Sequence, residues 1–534
     1  MRFSTIAILS VTGAAILAGG VLIRSARPLV ASLTLDKKGI KSLQCNNVEY
    51  LGDGEFRVER VTLKKANGET YLGQTSGTVD MDVQRQQLNR TFPWGTVQVA
   101  YSTVRNQLQL GIRTTNTSAD TIVGLQFQPL TLKFPEKLQE YDGTTPLLAH
   151  NIGDLALVRA TYGSGSVVIA SEDVSRPLMV GFPWANDRPT NTIFPLSVHT
   201  GRVPTYPDSY PHIERPIQPK GTDEYDVSVR FAHADASQAK VAADLYKKFS
   251  EAFPNQLKWS DRRPIGAIFL ATGGLNDPAN PQGWFGDSHL NINTPSGKAD
   301  FRQRLLVLAD SAIAIMKSMN AQGAITWDIE GQKFANTVSY LGDPRMVNQL
   351  APEMADVADE YFQRFRNAGL RVGVTVRPQQ LTISGEGQRA AQTAVADPAQ
   401  LLIDKIAYAK NRWGITMAYV DSNVNATDGN PMDPAIIQKV AAAFPDVLLI
   451  PEHSNLRYYA YSVPYKELRR GEVSTSADVR GVYPDSFSLI YTADGPLDLY
   501  HKNLVKAVQQ GDSVMFRTWY ADPQNEKVKS LFSR

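Results

Sequence analysis

Residues 398–423 read PAQLLIDKIAYAKNRWGITMAYVDSN, and residues 434–454 read PAIIQKVAAAFPDVLLIPEHS. Each stretch opens on a proline, which suits the first helical position because its missing N–H has no partner there anyway. Apolar residues then recur at helical spacing until Gly414 or Pro445 stops the run. A short unbroken apolar segment comes next, Thr416–Val420 or Val447–Ile450, ending on Asp421 or on Pro451-Glu452. Uninterrupted apolar strands are those buried on both faces, as in parallel sheets covered by helices. Two helix–strand units in succession make this part of the chain an alternating α/β array.

The unit repeats in both directions. Strands are expected at Ile265–Leu270, Ala324–Trp327, Val372–Val376, Thr416–Val420, Val447–Ile450, Glu472–Thr475, Phe487–Tyr491 and Ser513–Phe516. Helices are expected at Phe301–Met319, Pro352–Phe365, Pro398–Arg412, Pro434–Phe444, Leu497–Val508 and Asn525–Phe532. Eight strands in about 270 residues match a (β/α)8 TIM barrel over 264–534. A doubly wound open sheet is the alternative, but no Gly-x-Gly-x-x-Gly or Walker-type loop follows any strand.

Residues 32–235 have a different period. Turn signals such as Asn46-Asn47, Asp53-Gly54 and Asn67-Gly68 separate runs of period two, among them Thr96–Tyr101, Gln107–Ile112 and Tyr225–Arg230. Many short alternating strands predict a large antiparallel β-sandwich. Between the halves, residues 236–263 carry Val241, Leu245, Tyr246 and Phe249 at helical spacing, a linking helix. Residues 1–31 contain Arg2 and the apolar run Phe3–Ile23, about 21 residues, long for a signal peptide core and about long enough to span a bilayer. Ala18-Gly19-Gly20 suits signal peptidase, whereas Arg24 and Arg27 suit an uncleaved membrane anchor. Either way the body is expected outside the cytoplasm, periplasmic or secreted, and tethered to the inner membrane if the segment stays uncleaved.

Composition narrows the classes. Lys plus Arg is 55 against 53 Asp plus Glu, so no net field draws nucleic acid. Cys45 is the single cysteine, and none of the seven histidines lies within five residues of another, so no thiol cluster or local His-pair metal motif exists. No cofactor or metal is expected. The loop from Asp421 places oxygens at its first, third and fifth positions, but Ala426 and Met432 replace the glycine and glutamate of a calcium loop.

In a TIM barrel the chemistry gathers where strands end. Trp327, Asp328 and Glu330 follow strand two, Arg377 strand three, Asp421 and Asn423 strand four, and Glu452 and His453 strand five. Asp478 follows strand six, Asp494 strand seven, and Arg517, Trp519 and Tyr520 strand eight. Each has a plain alternative: Asp421 could cap a helix, Asp494 lies in an Asp-Gly turn, and Arg377 could do no more than pair with Asp421. Carboxylates, amides and flat rings converging on one sheet end make a sugar site, in which two carboxyls do the chemistry and rings stack on pyranose faces.

This arrangement, an exported chain with a β-sandwich, a linking helix and a barrel, resembles bacterial glycoside hydrolases of the α-galactosidase, α-glucosidase and α-amylase type. In that group the nucleophile is an aspartate ending strand four, where Tyr419-Val420-Asp421-Ser422 stands. The α-amylase family adds an acid glutamate ending strand five, where Ile450-Pro451-Glu452-His453 stands. The α-galactosidase group has its acid on strand six, where this chain offers Asp478. The resemblance implies a glycosidase acting on a poly- or oligosaccharide, with Asp421 as nucleophile or base and Glu452 as general acid. Trp327, Asp328, Glu330, Arg377, Asn423, His453, Asp494, Arg517 and Trp519 would bind substrate. A retaining mechanism is expected, with carboxyls about 5–5.5 Å apart rather than about 6.5–9.5 Å. The alternative is a non-catalytic carbohydrate-binding or envelope-assembly protein on the same fold.

The first thirty residues carry their own test. Full-length protein made in a bacterial host should fractionate outside the cytoplasm, and a soluble cytoplasmic pool would contradict the export reading.

Overall fold

Two periods in the sequence become two layers of architecture. The computed structural model describes residues 28–138, 150–152, 155–176, 178–181, 192–201, 213–271, 277–332, 340–384, 389–425, 432–518 and 522–532. The apolar run Phe3–Ile23 lies outside the described residues, and among those described no helix is long and apolar enough to cross a membrane.

The N-terminal half is antiparallel. An eight-stranded sheet is centred on Thr222–His233, flanked by Gln107–Asn116 and Gly165–Ser171, and a five-stranded sheet is centred on Thr121–Gln128. Their inner faces, with Val97, Leu108, Val167 and Val229 from one and Val61, Leu63, Phe127 and Val198 from the other, form one buried core. The fold is therefore a β-sandwich, as the alternation predicts.

The larger sheet departs from simple alternation in one place. Every residue of Gly165–Ser171 is buried, and so is the run Val227–Ala232. The outward-facing Leu155, Leu157, Val168 and Ala170 belong to the same hydrophobic cluster as Leu245, Tyr246 and Phe249 of the helix Ala243–Ala252. That helix and the short Gln238–Val241 before it are the linking segment, and they cover the outer face of the sheet. Arg230 projects from this covered face and is fully buried. Its guanidinium donates to Glu172 at 2.6 Å, to both oxygens of Asp244 at 2.5 and 3.0 Å, and to the Val241 carbonyl at 3.1 Å.

The C-terminal half is an eight-stranded parallel sheet. In chain order its strands are Ile265–Phe269, Gly323–Trp327, Arg371–Val376, Met417–Val420, Leu448–Pro451, Tyr465–Glu467, Leu489–Tyr491 and Ser513–Arg517. The hydrogen-bonded order runs five-four-three-two-one-eight-seven-six, a TIM barrel with one seam, between strands five and six. At the seam the Val463 N–H donates to the Leu449 carbonyl at 2.9 Å. Inward side chains such as Ile265, Ile325, Met417, Leu448, Leu489 and Met515 fill the interior, while outward Ala418, Val420 and Leu449 pack under the helices. Helix boundaries follow the punctuation: Asp397 caps the helix Pro398–Trp413, and Gly414 closes it at φ +69°.

Two expectations need correction. Strand six is Tyr465–Glu467, not Glu472–Thr475. Glu472 instead turns back to accept the Glu467 N–H at 2.9 Å, and Asp478 sits in the first turn of the helix Ala477–Val482, accepting from the Tyr246 hydroxyl at 2.8 Å. Second, the expected helix 352–365 is two, Pro352–Ala355 and Ala358–Asn367.

The buried guanidinium yields a stability test. Arg230→Met should destabilise the protein by about 3 kcal/mol in denaturant titrations, the low end for breaking a buried pair, because half-exposed Asp244 can rehydrate. A loss under about 1 kcal/mol would mean that apolar packing alone seats the linking helix.

Candidate functional site

The mouth of the barrel is built by register. Strands three and four pair Val376 with Val420, and strands four and five pair Val420 with Pro451. The next residues along are Arg377, Asp421 and Glu452. Backbone bonds carry the ladder to them: the Asp421 N–H donates to the Val376 carbonyl at 2.9 Å, and the Glu452 N–H to the Val420 carbonyl at 3.0 Å. Residues matched in a parallel ladder lie one strand spacing apart, about 4.8 Å, and point the same way. Tyr419 and Ile450 point into the barrel, so Asp421 and Glu452, two residues on, do so as well.

The three groups form one cluster. Both Nε and Nη2 of Arg377 reach Asp421 Oδ2 at 2.5 Å. Glu452 Oε2 accepts the Ser422 N–H at 2.8 Å, and its carboxyl acts on that of Asp421. Burial pushes the Asp421 carboxyl up to about 7, with Arg377 pulling it down and Glu452 pushing it further up. Register sets the two residues side by side on neighbouring strands, about one strand spacing apart at the backbone.

Asp328 follows the inward-facing Trp327 but takes φ +62°, which ends the strand's alternation. It is buried at 3% exposure, accepts from Gln332 Nε2 at 3.3 Å, and its Oδ2 has no hydrogen-bond partner among the described residues. Desolvation, reinforced by the charges of Glu330 and Asp421, raises its carboxyl well above the usual carboxylate range. Asp328 is thus a buried acid whose protonated form is favoured, with one oxygen lacking a partner among the described residues.

Glu330 is expected beside Asp328 if alternate residues of an extended chain share a side. The chain is not extended there. The Gly331 N–H donates back to the Asp328 carbonyl at 2.9 Å, closing a turn. Glu330 goes instead into a buried cluster, where it accepts the Asp343 backbone N–H and faces Lys405; burial raises it to about 7. Asn423 is likewise committed elsewhere: its carbonyl accepts the His453 N–H at 2.7 Å, and its amide donates to the His453 carbonyl at 3.1 Å. It staples the loops after strands four and five. His453 stands at the rim, 43% exposed, its Nε2 3.7 Å from Glu452. Asp494 and Arg517 pair with each other at 2.7 Å. Trp519 and Tyr520 lie outside the described residues.

A belt of aromatic rings lines the mouth. Phe269 stacks on Trp327 at 4.9 Å, Trp327 meets Tyr419 at 5.0 Å, Tyr419 meets Tyr465 at 5.2 Å, and Tyr465 meets Tyr491 at 6.0 Å. Tyr340 adjoins Phe269 at 6.4 Å. Of these, the sequence pattern points only to Trp327 as a substrate-binding ring. Tyr491 closes strand seven, a signal present in the sequence, whereas Tyr465 belongs to the strand that the pattern misplaces. Carboxyls beside one guanidinium, ringed by flat apolar faces, can bind a polyhydroxylated ring and move a proton at its edge.

No protein-family model matches the chain, and no curated protein matches it. Among solved structures, the alpha-N-acetylgalactosaminidase NagBb from Bifidobacterium bifidum in complex with GalNAc is similar at a TM-score of 0.55 and 10% identity, over 94% of this chain and 91% of that one. Its ligand-free form matches with the same coverage at a TM-score of 0.51 and 9% identity. The galactosidase domain of the alpha-galactosidase-sucrose kinase AgaSK matches over 88% of this chain and 73% of that one, at a TM-score of 0.44 and 10% identity. At these identities the likeness is one of fold. The structural neighbours are glycoside hydrolases, and the chain has a glycosidase-like fold, a near-closed parallel barrel behind antiparallel sheets.

The Asp421 carboxyl predicts a pH signature independent of activity. Its folded value of about 7 exceeds the ordinary 3.8, so the folded state binds the proton more tightly and Asp421 destabilises the fold increasingly as pH rises between them. The stability of Asp421→Asn relative to wild type should therefore climb between about pH 4 and pH 7 and level off above, by on the order of a few kcal/mol. A flat difference across this range would show that Asp421 ionises normally.

Proposed function

We propose that the protein is a glycosidase acting on a poly- or oligosaccharide through Asp421 and Glu452. The observation that carries this is the row Arg377–Asp421–Glu452, in which two carboxyls end neighbouring strands in unlike surroundings, a guanidinium sitting on one of the two. Two-carboxylate glycoside cleavage needs that division, one group protonated and the other charged. Arg377 favours negative charge on Asp421, the attacking group, against the burial and the Glu452 charge that raise its carboxyl. Glu452 then protonates the leaving oxygen while Asp421 attacks the anomeric carbon. In the retaining course, a glycosyl ester forms on Asp421 and is hydrolysed by water that Glu452 activates. Asp328, with an oxygen unpaired among the described residues, would hold a substrate hydroxyl, and Trp327 and Tyr419 would flank a ring face. The N-terminal apolar run supports an exported enzyme meeting its carbohydrate outside the cytoplasm.

Amide variants separate the roles. Turnover is measured on aryl glycosides that include α-N-acetylgalactosaminides, since a structural neighbour carries GalNAc. Asp421→Asn should lose activity for every leaving group. Glu452→Gln should keep much of its first-step rate on dinitrophenyl glycosides, whose leaving group needs little protonation, and azide should rescue its second step. Equal loss on activated and unactivated substrates would remove Glu452 from the acid role. Binding by calorimetry without turnover across the panel would favour the non-catalytic carbohydrate-binding alternative.

A further inference from the structure

Beneath the Arg377–Asp421–Glu452 row lies a polar cluster that glycoside cleavage does not itself require. Lys405, on the helix Pro398–Trp413, is 0% exposed, an environment that lysine rarely occupies without specific partners. Its ammonium donates to the Arg377 carbonyl at 2.8 Å and to the Gln379 carbonyl at 2.9 Å, and it lies 3.5 Å from Asp343 Oδ2. All three donors of the ammonium therefore have a direction. Asp343, also fully buried, is held from its other side by Arg345, with Nε on Oδ1 at 2.8 Å and Nη2 on Oδ2 at 2.7 Å. Burial pulls the Lys405 ammonium down to about 8, against the upward pull of Asp343.

The two carbonyls that Lys405 fixes belong to the residues that reach across to strand four. Arg377 sends its guanidinium to Asp421. Gln379 sends its amide to the carbonyls of Ser422 and Val424, at 2.9 and 3.0 Å. The Arg377 N–H is pinned in turn to the Gly342 carbonyl at 2.9 Å, and Gly342 takes φ +63°, where a Cβ would stand 2.7 Å from Arg377 Cγ. The loop after strand three is thus clamped from below and through its own backbone, and it holds the loop after strand four at two points.

We propose that Lys405 is a positioning residue: by fixing the carbonyls of Arg377 and Gln379, its buried ammonium aims the Arg377 guanidinium at Asp421 and locks the Asp421-bearing loop in place. Only its catalytic consequence rests on the glycosidase reading. The structural claim is that the Arg377–Asp421 contact depends on Lys405.

The test reads the Asp421 proton without needing turnover. The pH dependence of the stability difference between Asp421 and Asp421→Asn is measured in wild type, in Lys405→Met and in Gln379→Met. Arg377 holds the Asp421 carboxyl down, so loosening its grip should move the curve to higher pH, by about one pH unit in Lys405→Met and in the same direction in Gln379→Met. If turnover is found, kcat should fall about 100-fold with KM little changed, as expected of a misaimed group rather than a lost ligand. A Lys405→Met protein that is merely less stable, with its curve unmoved, overturns the proposal. A shift in Lys405→Met but none in Gln379→Met also overturns it, because loss of a nearby charge would then explain everything. Arg345 still pairs Asp343 in Lys405→Met, which favours folding. Should that variant not fold, Lys405→Met with Asp343→Asn and the uncharged Gln379→Met carry the same readout, and unmoved curves in them overturn the proposal. A glycoside panel that gives no turnover would sink the enzymatic reading while leaving this measurement intact.

Discussion

Parallel register is the constraint on which the candidate site depends. A hydrogen-bonded parallel ladder brings matched residues within about 5 Å, side by side and pointing the same way. Val376, Val420 and Pro451 are matched across three strands, so Arg377, Asp421 and Glu452 must meet. Neither carboxyl can escape the other by turning outward, because the alternation that sends Tyr419 and Ile450 inward also directs the residues two positions on. A guanidinium within the same row makes two adjacent carboxyls tolerable, since it offsets the charge of the buried Asp421.

The rest of the barrel supports that row. Inward apolar side chains fill the interior, and the aromatic belt that includes Trp327, Tyr419 and Tyr491 forms its top layer, directly beneath the row. The seam between strands five and six lies next to Glu452. There the ladder gives way to a single backbone bond from Val463, and Tyr465 bridges the gap with its ring against Tyr419. On the side of strands two and three, ionised and polar groups replace apolar packing: Glu330, Asp343 and Lys405 are buried together beneath the loops that carry Asp328 and Arg377. Buried charge of this kind defines geometry more sharply than apolar packing does, because a displaced partner leaves an unsatisfied ion.

The sandwich connects to the barrel through a helix rather than through a direct sheet face. Once that helix covers the larger sheet, the sheet's outer side becomes interior, and Arg230, on an otherwise apolar surface, needs the carboxylates of Glu172 and Asp244. The linking helix therefore serves as the shared core of both halves. Its other side meets the barrel through Tyr246 on Asp478 and through the Phe253 carbonyl, which accepts from Tyr483.

The sequence by itself determined the two-part architecture, seven of the eight barrel strands and most of the helices, because period, proline starts and glycine stops are local properties of the chain. It also brought Asp421, Glu452 and Arg377 to strand ends, since an apolar run that stops on a charged residue marks where a buried strand leaves the core. Strand six was not legible: Tyr465-Lys466-Glu467 is three residues long with two charges, and only pairing with Leu489–Tyr491 makes it a strand. Register lies between strands and not within them, so the pairing that sets Arg377, Asp421 and Glu452 in one row was decided by the tertiary structure. So were the turn at Asp328 that carries Glu330 away from the mouth, the diversion of Asn423 to the His453 backbone, and the burial of Lys405 beneath Arg377. In each case the deciding partner is distant in the chain or the backbone leaves its regular period, and a pattern of residue types records neither.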